Sequence, residues 1–300
     1  MDKILIVGPA SQILGVKIAQ ELGIECVNTE FKTFPDGENY IRINIEDERI
    51  IAGKEVIIVQ STGPSPRGDQ NNRLLELLMI IDSVKRMQAK KVNVIIPYLA
   101  YARQDKIFRP GESQFANLII RVIDSMGIDE LYIVDIHAPE VLEDTFCKTV
   151  NIDSMKALAD YIKSLGANDI VVVAPDKGAV DRSKAFARHF GENVPVDYFE
   201  KKRDVTTGEI TMSGKLSLKD KDIVISDDII ATGGTMATAI KLSKESGANR
   251  IFAVATHALL LQNAKYRILK AGADEIIGTD SIDNEAAKVS LAKTIANFLK

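Results

Sequence analysis

The run Val224-Ile225-Ser226-Asp227-Asp228-Ile229-Ile230-Ala231-Thr232-Gly233-Gly234-Thr235 decides the fold class. It reads as an apolar strand, two acids at its end, a glycine-rich loop and a helix beginning near Thr235. A strand that turns at glycine into a helix aims free backbone N–H groups, with the positive end of the helix dipole, at one spot that suits a phosphate. Gly233 and Gly234 let the backbone wrap closely, and Thr232 and Thr235 add hydroxyl donors. Two carboxylates beside such a pocket would repel a bare anion. Asp227 and Asp228 make sense if the ligand also presents hydroxyls or a metal ion, as a sugar phosphate does. A Walker loop would need Lys where Thr235 stands, and a dinucleotide fingerprint would need three spaced glycines. The plainer alternative is an ordinary strand-to-helix turn with exposed acids.

Composition narrows the class. The chain has 300 residues, too many for most single cores, so two domains are expected. A net charge of −4 argues against a nucleic-acid binder. Cys26 and Cys147 are far apart without metal-ligand spacing, so the expected compartment is the reduced cytoplasm. Lys3–Gly8 is a short strand ending in glycine, too brief for a signal peptide, and no apolar run reaches membrane-spanning length, so no membrane partner is expected.

Short apolar runs alternate with helical periodicity along the chain. The expected strands include Ile4–Val7, Val56–Gln60, Val92–Pro97 and Leu131–Ile136, then Ile170–Ala174, Ile223–Ser226 and Ile251–Thr256. Continuous apolar strands separated by helices mean parallel sheets covered on both faces, with ligands off the carboxyl ends of the strands. The segments Val56–Ala100 and Ile223–Ala258 share one layout of strand, polar loop, helix, short basic turn and strand. Gln60-Ser61 replaces the acid pair in the first copy, as if a duplicated unit had lost its sugar-phosphate site. The division is expected near Cys147–Asn151, giving domains 1–148 and 149–300, with the final helix, Lys288–Leu299, free to pack on either.

Five further segments stand in order along the chain: Phe34-Pro35-Asp36-Gly37-Glu38, Tyr98–Asp105, Asp135-Ile136-His137-Ala138, Ala174-Pro175-Asp176-Lys177-Gly178 and Glu200-Lys201-Lys202-Arg203. With the Thr232–Thr235 loop they resemble the ribose-phosphate pyrophosphokinases, in the archaeal form. The resemblance implies an α/β fold of two tandem phosphoribosyltransferase-like domains, each a mostly parallel sheet flanked by helices. It implies transfer of the diphosphoryl group of ATP to the anomeric hydroxyl of ribose 5-phosphate, with AMP released and Mg²⁺ as cofactor.

The same resemblance assigns roles by residue. Asp227, Asp228, Ala231, Thr232, Gly233, Gly234, Thr235 and Arg203 would bind ribose 5-phosphate. Phe34, Asp36, Gly37 and Glu38 would bind adenine, reaching into a neighbouring subunit of a homo-oligomer, although the pentapeptide alone reads as a β-turn. Arg103 and Gln104 would contact ATP, Lys201 and Arg203 would be the catalytic cations, and His137 with Asp176 would hold the metal. Taken alone, a His closing a strand is more often structural, and magnesium prefers oxygen, so only the resemblance nominates His137. Asp176 fits by itself, as an acid after a strand. Lys201 and Arg203 open a polar loop, Asp204–Gly208, able to close over the transferring phosphoryl group.

Three features depart from the family pattern. Ala231 stands where many members carry an acid, Glu140 and Glu143 follow His137, and the loop Gly63–Gln70 is long. A phosphoribosyltransferase would use the same loop yet leave Phe34–Glu38 and Arg103–Gln104 without a purpose. A non-catalytic relative would not need Lys201, Arg203 and Asp176.

Overall fold

The first strands obey the expected rule that a strand buried on both faces is apolar throughout. In the computed structural model, residues 2–65, 68–203, 210–213 and 217–300 are described, the side chains of 200–203 and 210–213 excepted. The chain forms two units: residues 1–153, 280–283 and 290–300, and residues 154–279 and 284–289.

The first unit contains β1 (Lys3–Val7), α1 (Gln12–Leu22), β2 (Glu25–Thr33), β3 (Asn39–Ile43), β4 (Glu55–Val59), α2 (Gln70–Arg86), β5 (Lys91–Ile96), α3 (Phe115–Ser125), β6 (Glu130–Val134) and β7 (Lys148–Ile152). Its sheet has the order β3-β2-β1-β4-β5-β6-β7, parallel except for the β2–β3 hairpin. Alternate residues of one strand face opposite layers. Ile4 and Ile6 pack with Leu77, Ile80 and Ile81 of α2 and with Ile119 and Ile123 of α3. Leu5 and Val7 pack on the other face with Leu14 and Ile18 of α1. Helix α2 starts where Asp69 caps it, its Oδ1 accepting from the Asn72 N–H at 3.0 Å.

The second unit begins with α4 (Met155–Ser164) and β8 (Ile170–Ala174). It continues through α5 (Val180–Ala187), β9 (Val196–Tyr198), β10 (Glu200–Arg203), β11 (Ile210–Ser213), β12 (Asp222–Ile230), α6 (Gly234–Glu245), β13 (Ile251–Ala258), α7 (Ala264–Ala271), β14 (Glu275–Thr279) and β15 (Ala287–Val289). Its sheet order is β15-β14-β13-β12-β8-β9, all parallel, with β10 and β11 forming a separate antiparallel pair. Val171 and Val173 face α6 and α7 through Ile240 and Ile268. Val172 and Val224 face α4 and α5 through Leu158 and Phe186.

The duplicated layout expected from sequence extends across both sheets. The order β2-β1-β4-β5-β6-β7 in one matches β9-β8-β12-β13-β14-β15 in the other, strand for strand. The last helix, α8 (Ala292–Leu299), follows β15 in the chain but is buried in the first unit, with Ile295 and Leu299 beside Leu14 and Ile18. The division falls after Asp153 rather than at 148/149, because Lys148–Ile152 pairs with β6 in the first sheet. Lys288, expected in the final helix, belongs instead to β15.

Candidate active site

Strand β12 does not stop at the acids. It runs to Ile230, with Ile229 opposite His257 and Ile230 opposite Ala258, because β13 is long enough to partner it that far. On its other side β8 pairs only as far as Ile225 opposite Val173. Beyond that register β12 is bonded on one edge, so Asp227 and Asp228 sit where the parallel sheet opens at its carboxyl end. Each acid turns back on the chain: Asp227 Oδ1 accepts from the Asp228 N–H at 2.9 Å, and Asp228 Oδ1 from the Ile229 N–H at 2.8 Å.

Helix α6 begins at Gly234 rather than Thr235, with Gly233 at its N-cap. Gly233 has φ 70°, and a Cβ there would lie 2.9 Å from Ile268 Cδ1. Glycine is therefore needed both for the backbone sign and for the close approach of α7. The loop is braced from outside. Leu261 N–H donates to the Ala231 carbonyl at 2.9 Å, and the Arg267 guanidinium donates to the Thr232 carbonyl. Ala231 thus contributes its backbone to the loop without a side-chain acid. The first-turn amides have no intrahelical acceptor, and Thr232, Gly234 and Thr235 are exposed, so these donors face solvent. An anion fits there, and the polarity of the helix favours it.

Asp227 is held against ionising. Burial pushes the Asp227 carboxyl up to about 8, with the Asp228 carboxyl and the charge of Asp176 adding to the effect. Asp176 caps the turn after β8, its Oδ1 accepting from Gly178 N–H at 2.9 Å and from Ala179 N–H at 3.2 Å. Carboxylate oxygens are the right donors for Mg²⁺, and a cation would relieve the strain on Asp227. Among the described residues no group of three ligating side chains is arranged to hold a metal by itself. A residue the sequence reading missed, Arg182, lines a small cavity with Ser226, Asp227 and Thr256 and donates to Thr256 Oγ1 at 3.2 Å.

In the first unit the equivalent strand end carries a neutral pair beside a cavity of about 300 Å³ lined by Ala10, Ser61, Arg73 and Ser281. Gln60 Oε1 accepts from Ala10 N–H at 3.0 Å, Ser61 N–H donates to Ser11 Oγ at 2.8 Å, and Ser61 Oγ donates to the Ser281 carbonyl at 2.7 Å. The acid pair is replaced by an amide and a hydroxyl that bond to backbone groups and, through Gln60 Nε2, to the Glu76 carboxylate at 3.2 Å.

Phe34–Glu38 forms the tip of the β2–β3 hairpin. Phe34 N–H donates to the Glu38 carbonyl at 2.7 Å, Gly37 has φ 95°, and Asp36 Oδ1 accepts from Glu38 N–H at 3.1 Å. Phe34 is 41 % exposed and meets Tyr40 edge-on at 6.3 Å, with Lys32 Nζ 5.0 Å from its ring centre. Asp36 and Glu38 are exposed beside it. Arg103 and Gln104 are exposed on the loop after β5, and Gln104 N–H donates to the Tyr101 carbonyl at 2.9 Å. Buried Thr62 supports this loop, its Oγ1 accepting from Ala100 N–H at 2.7 Å.

His137 is exposed just beyond β6, after Asp135 at φ 40°. The structure thus gathers Phe34, Asp36, Gly37, Glu38, Arg103, Gln104 and His137 in one unit, and Asp176, Asp227, Asp228 and the Ala231–Thr235 loop in the other. Lys201 and Arg203 lie on β10, paired with Met212 and Ile210, but their side chains and residues 204–209 are outside the described residues.

Known proteins share this architecture. Residues 3–127 match the N-terminal domain of ribose phosphate pyrophosphokinase, and residues 148–292 match the phosphoribosyl transferase domain. A ribose-phosphate pyrophosphokinase of Methanobrevibacter smithii is 39 % identical over 309 aligned residues, covering 99 % of each chain. The chain belongs to the ribose-phosphate pyrophosphokinases. The Saccharolobus solfataricus ribose-phosphate pyrophosphokinase is 37 % identical over 98 % of this chain and 99 % of its own. The crystal structure of phosphoribosylpyrophosphate synthetase from Mycobacterium smegmatis superposes with a TM-score of 0.86 at 30 % identity, covering 100 % of this chain and 98 % of that one. Pyrophosphokinase membership agrees with the two-domain α/β fold expected from sequence, and with the archaeal character of the motifs. Among the described residues no helix is long and apolar enough to cross a membrane.

Proposed function

We propose that this chain transfers the diphosphoryl group of ATP to the anomeric hydroxyl of ribose 5-phosphate, forming 5-phosphoribosyl 1-diphosphate and AMP. The reading places the enzyme in the cytoplasm as a Mg²⁺-dependent homo-oligomer whose Phe34–Glu38 hairpin completes a neighbour's ATP site. The observation that carries it is the asymmetry of the two copies. The second keeps an open anion loop beside two acids. The first carries the neutral pair Gln60 and Ser61 at the equivalent position, tied to Ala10 and Ser11, and presents instead an exposed aromatic hairpin and the Arg103–Gln104 loop.

In this reading the amides and hydroxyls of Thr232–Thr235 bind the 5-phosphate, and Asp227 and Asp228 accept from the ribose hydroxyls, orienting the anomeric oxygen for in-line attack on the β-phosphorus. The raised affinity of Asp227 for a proton means that the empty site holds one near neutral pH. Sugar hydroxyls then replace that proton as donors. Phe34 supplies a face for adenine, Asp36 and Glu38 accept from its amino group, and Arg103 pairs with phosphate through its planar fork. Bound Mg²⁺ would offset the charge of the ATP phosphates. Asp176 has the oxygen chemistry to hold it, and His137 is the partner that family resemblance assigns. Lys201 and Arg203 would stabilise the charge spread over the transferring group.

The test is to incubate the protein with Mg-ATP and ribose 5-phosphate and identify both products by ³¹P NMR. AMP with a sugar 1-diphosphate supports the reading. ADP, the mark of single phosphoryl transfer, overturns it.

A further inference from the structure

Asn71 and Asn72 stand side by side in the first turn of α2, and each reaches a different one of the two candidate ATP segments. Asn71 Oδ1 accepts from the Tyr101 hydroxyl. Asn72 Nδ2 donates to Asn39 Oδ1 at 3.2 Å, and the same oxygen accepts from Thr33 Oγ1 at 3.1 Å. Thr33 and Asn39 are the pair that closes the Phe34–Glu38 turn. Tyr101 opens the Arg103–Gln104 turn, and its φ of 64° is one that a bulky residue keeps only where its surroundings hold it. Two contacts do so: the Phe115 ring at 4.3 Å and the bond to Asn71. The helix end is itself fixed by the Asp69 cap on the Asn72 N–H.

We infer that Asn71 and Asn72 are positioning residues for ATP, a bracket that holds the Arg103–Gln104 loop and the Phe34–Glu38 hairpin of one subunit in a set relation. The inference rests on the reading of those two segments as ATP-binding. Asn71 acts through Tyr101 and Asn72 through Asn39.

The two bonds make opposite chemical demands. Position 71 must accept a hydrogen bond, and position 72 must donate one. Aspartate can therefore replace Asn71, since a carboxylate still accepts from Tyr101. At Asn72 a carboxylate would meet the Asn39 oxygen, and only an Asn39 amide turned over to offer its N–H could pair with it; Asn39→Asp removes that escape. Generic loss of packing at the helix end would not tell the two positions apart.

The experiment measures KM for Mg-ATP, KM for ribose 5-phosphate and the melting temperature. The variants are Asn71→Ala, Asn71→Asp, Asn72→Ala, Asn72→Asp combined with Asn39→Asp, and Tyr101→Phe, with Phe34→Ala and Arg103→Ala as controls. Asn71→Ala, Asn72→Ala and Tyr101→Phe should each raise KM for ATP roughly 3- to 10-fold, the effect of one lost hydrogen bond, with the sugar KM and melting unchanged. Asn71→Asp should return to within about two-fold of the parent, and Asn72→Asp combined with Asn39→Asp should be no better than Asn72→Ala. The bracket is overturned if both alanine variants leave KM for ATP unchanged while the controls raise it. It is equally overturned if Asn71→Asp is no better than Asn71→Ala, if Asn72→Asp with Asn39→Asp restores the parent value, or if the sugar KM rises in step. Unchanged ATP affinity in the Phe34 and Arg103 controls would instead bring down the ATP assignment, and the inference with it.

Discussion

Replacing Asp227 by Asn should make the protein more stable and inactive, and the gain should depend on pH. Burial, the Asp228 carboxyl and Asp176 raise Asp227 from 3.8 to about 8. For an acid raised on folding, both states are protonated at low pH and no penalty exists. As pH climbs through the unfolded value, the unfolded chain gives up its proton while the folded one keeps it, so stability falls until the folded value is passed. At about 1.36 kcal/mol for each tenfold change in proton affinity, a rise of that size sets a ceiling of about 5–6 kcal/mol. Asp227 keeps partial access to water and titrates together with Asp228, which reduces the loss to about 2 kcal/mol. Asn cannot titrate, and it keeps the Oδ1 that accepts from the Asp228 N–H. In metal-free buffer, melting of parent and variant should coincide at about pH 3, below the unfolded value, and diverge by about 4–8 °C at about pH 8.5. A gap that is constant with pH, or that closes as pH rises, would refute the account of Asp227 as a carboxyl held against its charge. Turnover of the variant should fall because the neutral amide binds sugar hydroxyls less well than the carboxylate.

Three further outcomes are expected. Gly233→Ala forces a positive φ on alanine and a Cβ 2.9 Å from Ile268, so it should destabilise by about 1–2 kcal/mol and raise KM for ribose 5-phosphate at least about ten-fold; unchanged sugar kinetics would remove this loop from phosphate binding. Lys201→Ala should cut kcat on the order of 10³-fold while ATP affinity, read by calorimetry, stays within a few-fold; normal turnover would remove Lys201 from the mechanism. Arg73 is 1 % exposed and 2.5 Å from Glu76, whose carboxyl burial pushes up and Arg73 and Gln60 pull down. Arg73→Ala should therefore cost about 3–5 kcal/mol at neutral pH and less in acid, where Glu76 takes a proton; a melting curve indifferent to pH would contradict this.

Much of the architecture was legible because strands buried on both faces cannot hide their composition. Val56–Gln60, Val92–Pro97 and Ile170–Ala174 were each located to within a residue of their ends. The outer strands of the first sheet, β2, β3 and β7, were not found. Glu25–Thr33 alternates polar and apolar residues and leaves much of its length exposed, so only its turn at Phe34–Glu38 stood out. The strain at Tyr101 and Asp135 was also invisible, since a left-handed backbone at a bulky or acidic residue is imposed by neighbours far along the chain.

The line between the two sources of information is physical. Local chemistry determined that an acidic strand runs into a glycine loop and a helix, that a phosphate and hydroxyls belong there, and that the same α/β layout occurs twice. Long-range pairing decided how far β12 runs past its acids, because only β13 could supply partners for Ile229 and Ile230. It decided that α8 closes the first unit, since an amphipathic helix records that it must be buried but not against which sheet. And it decided that the Gly233 turn tolerates no side chain, because the atoms that would clash belong to α7, which is distant in sequence and close only once the chain has folded.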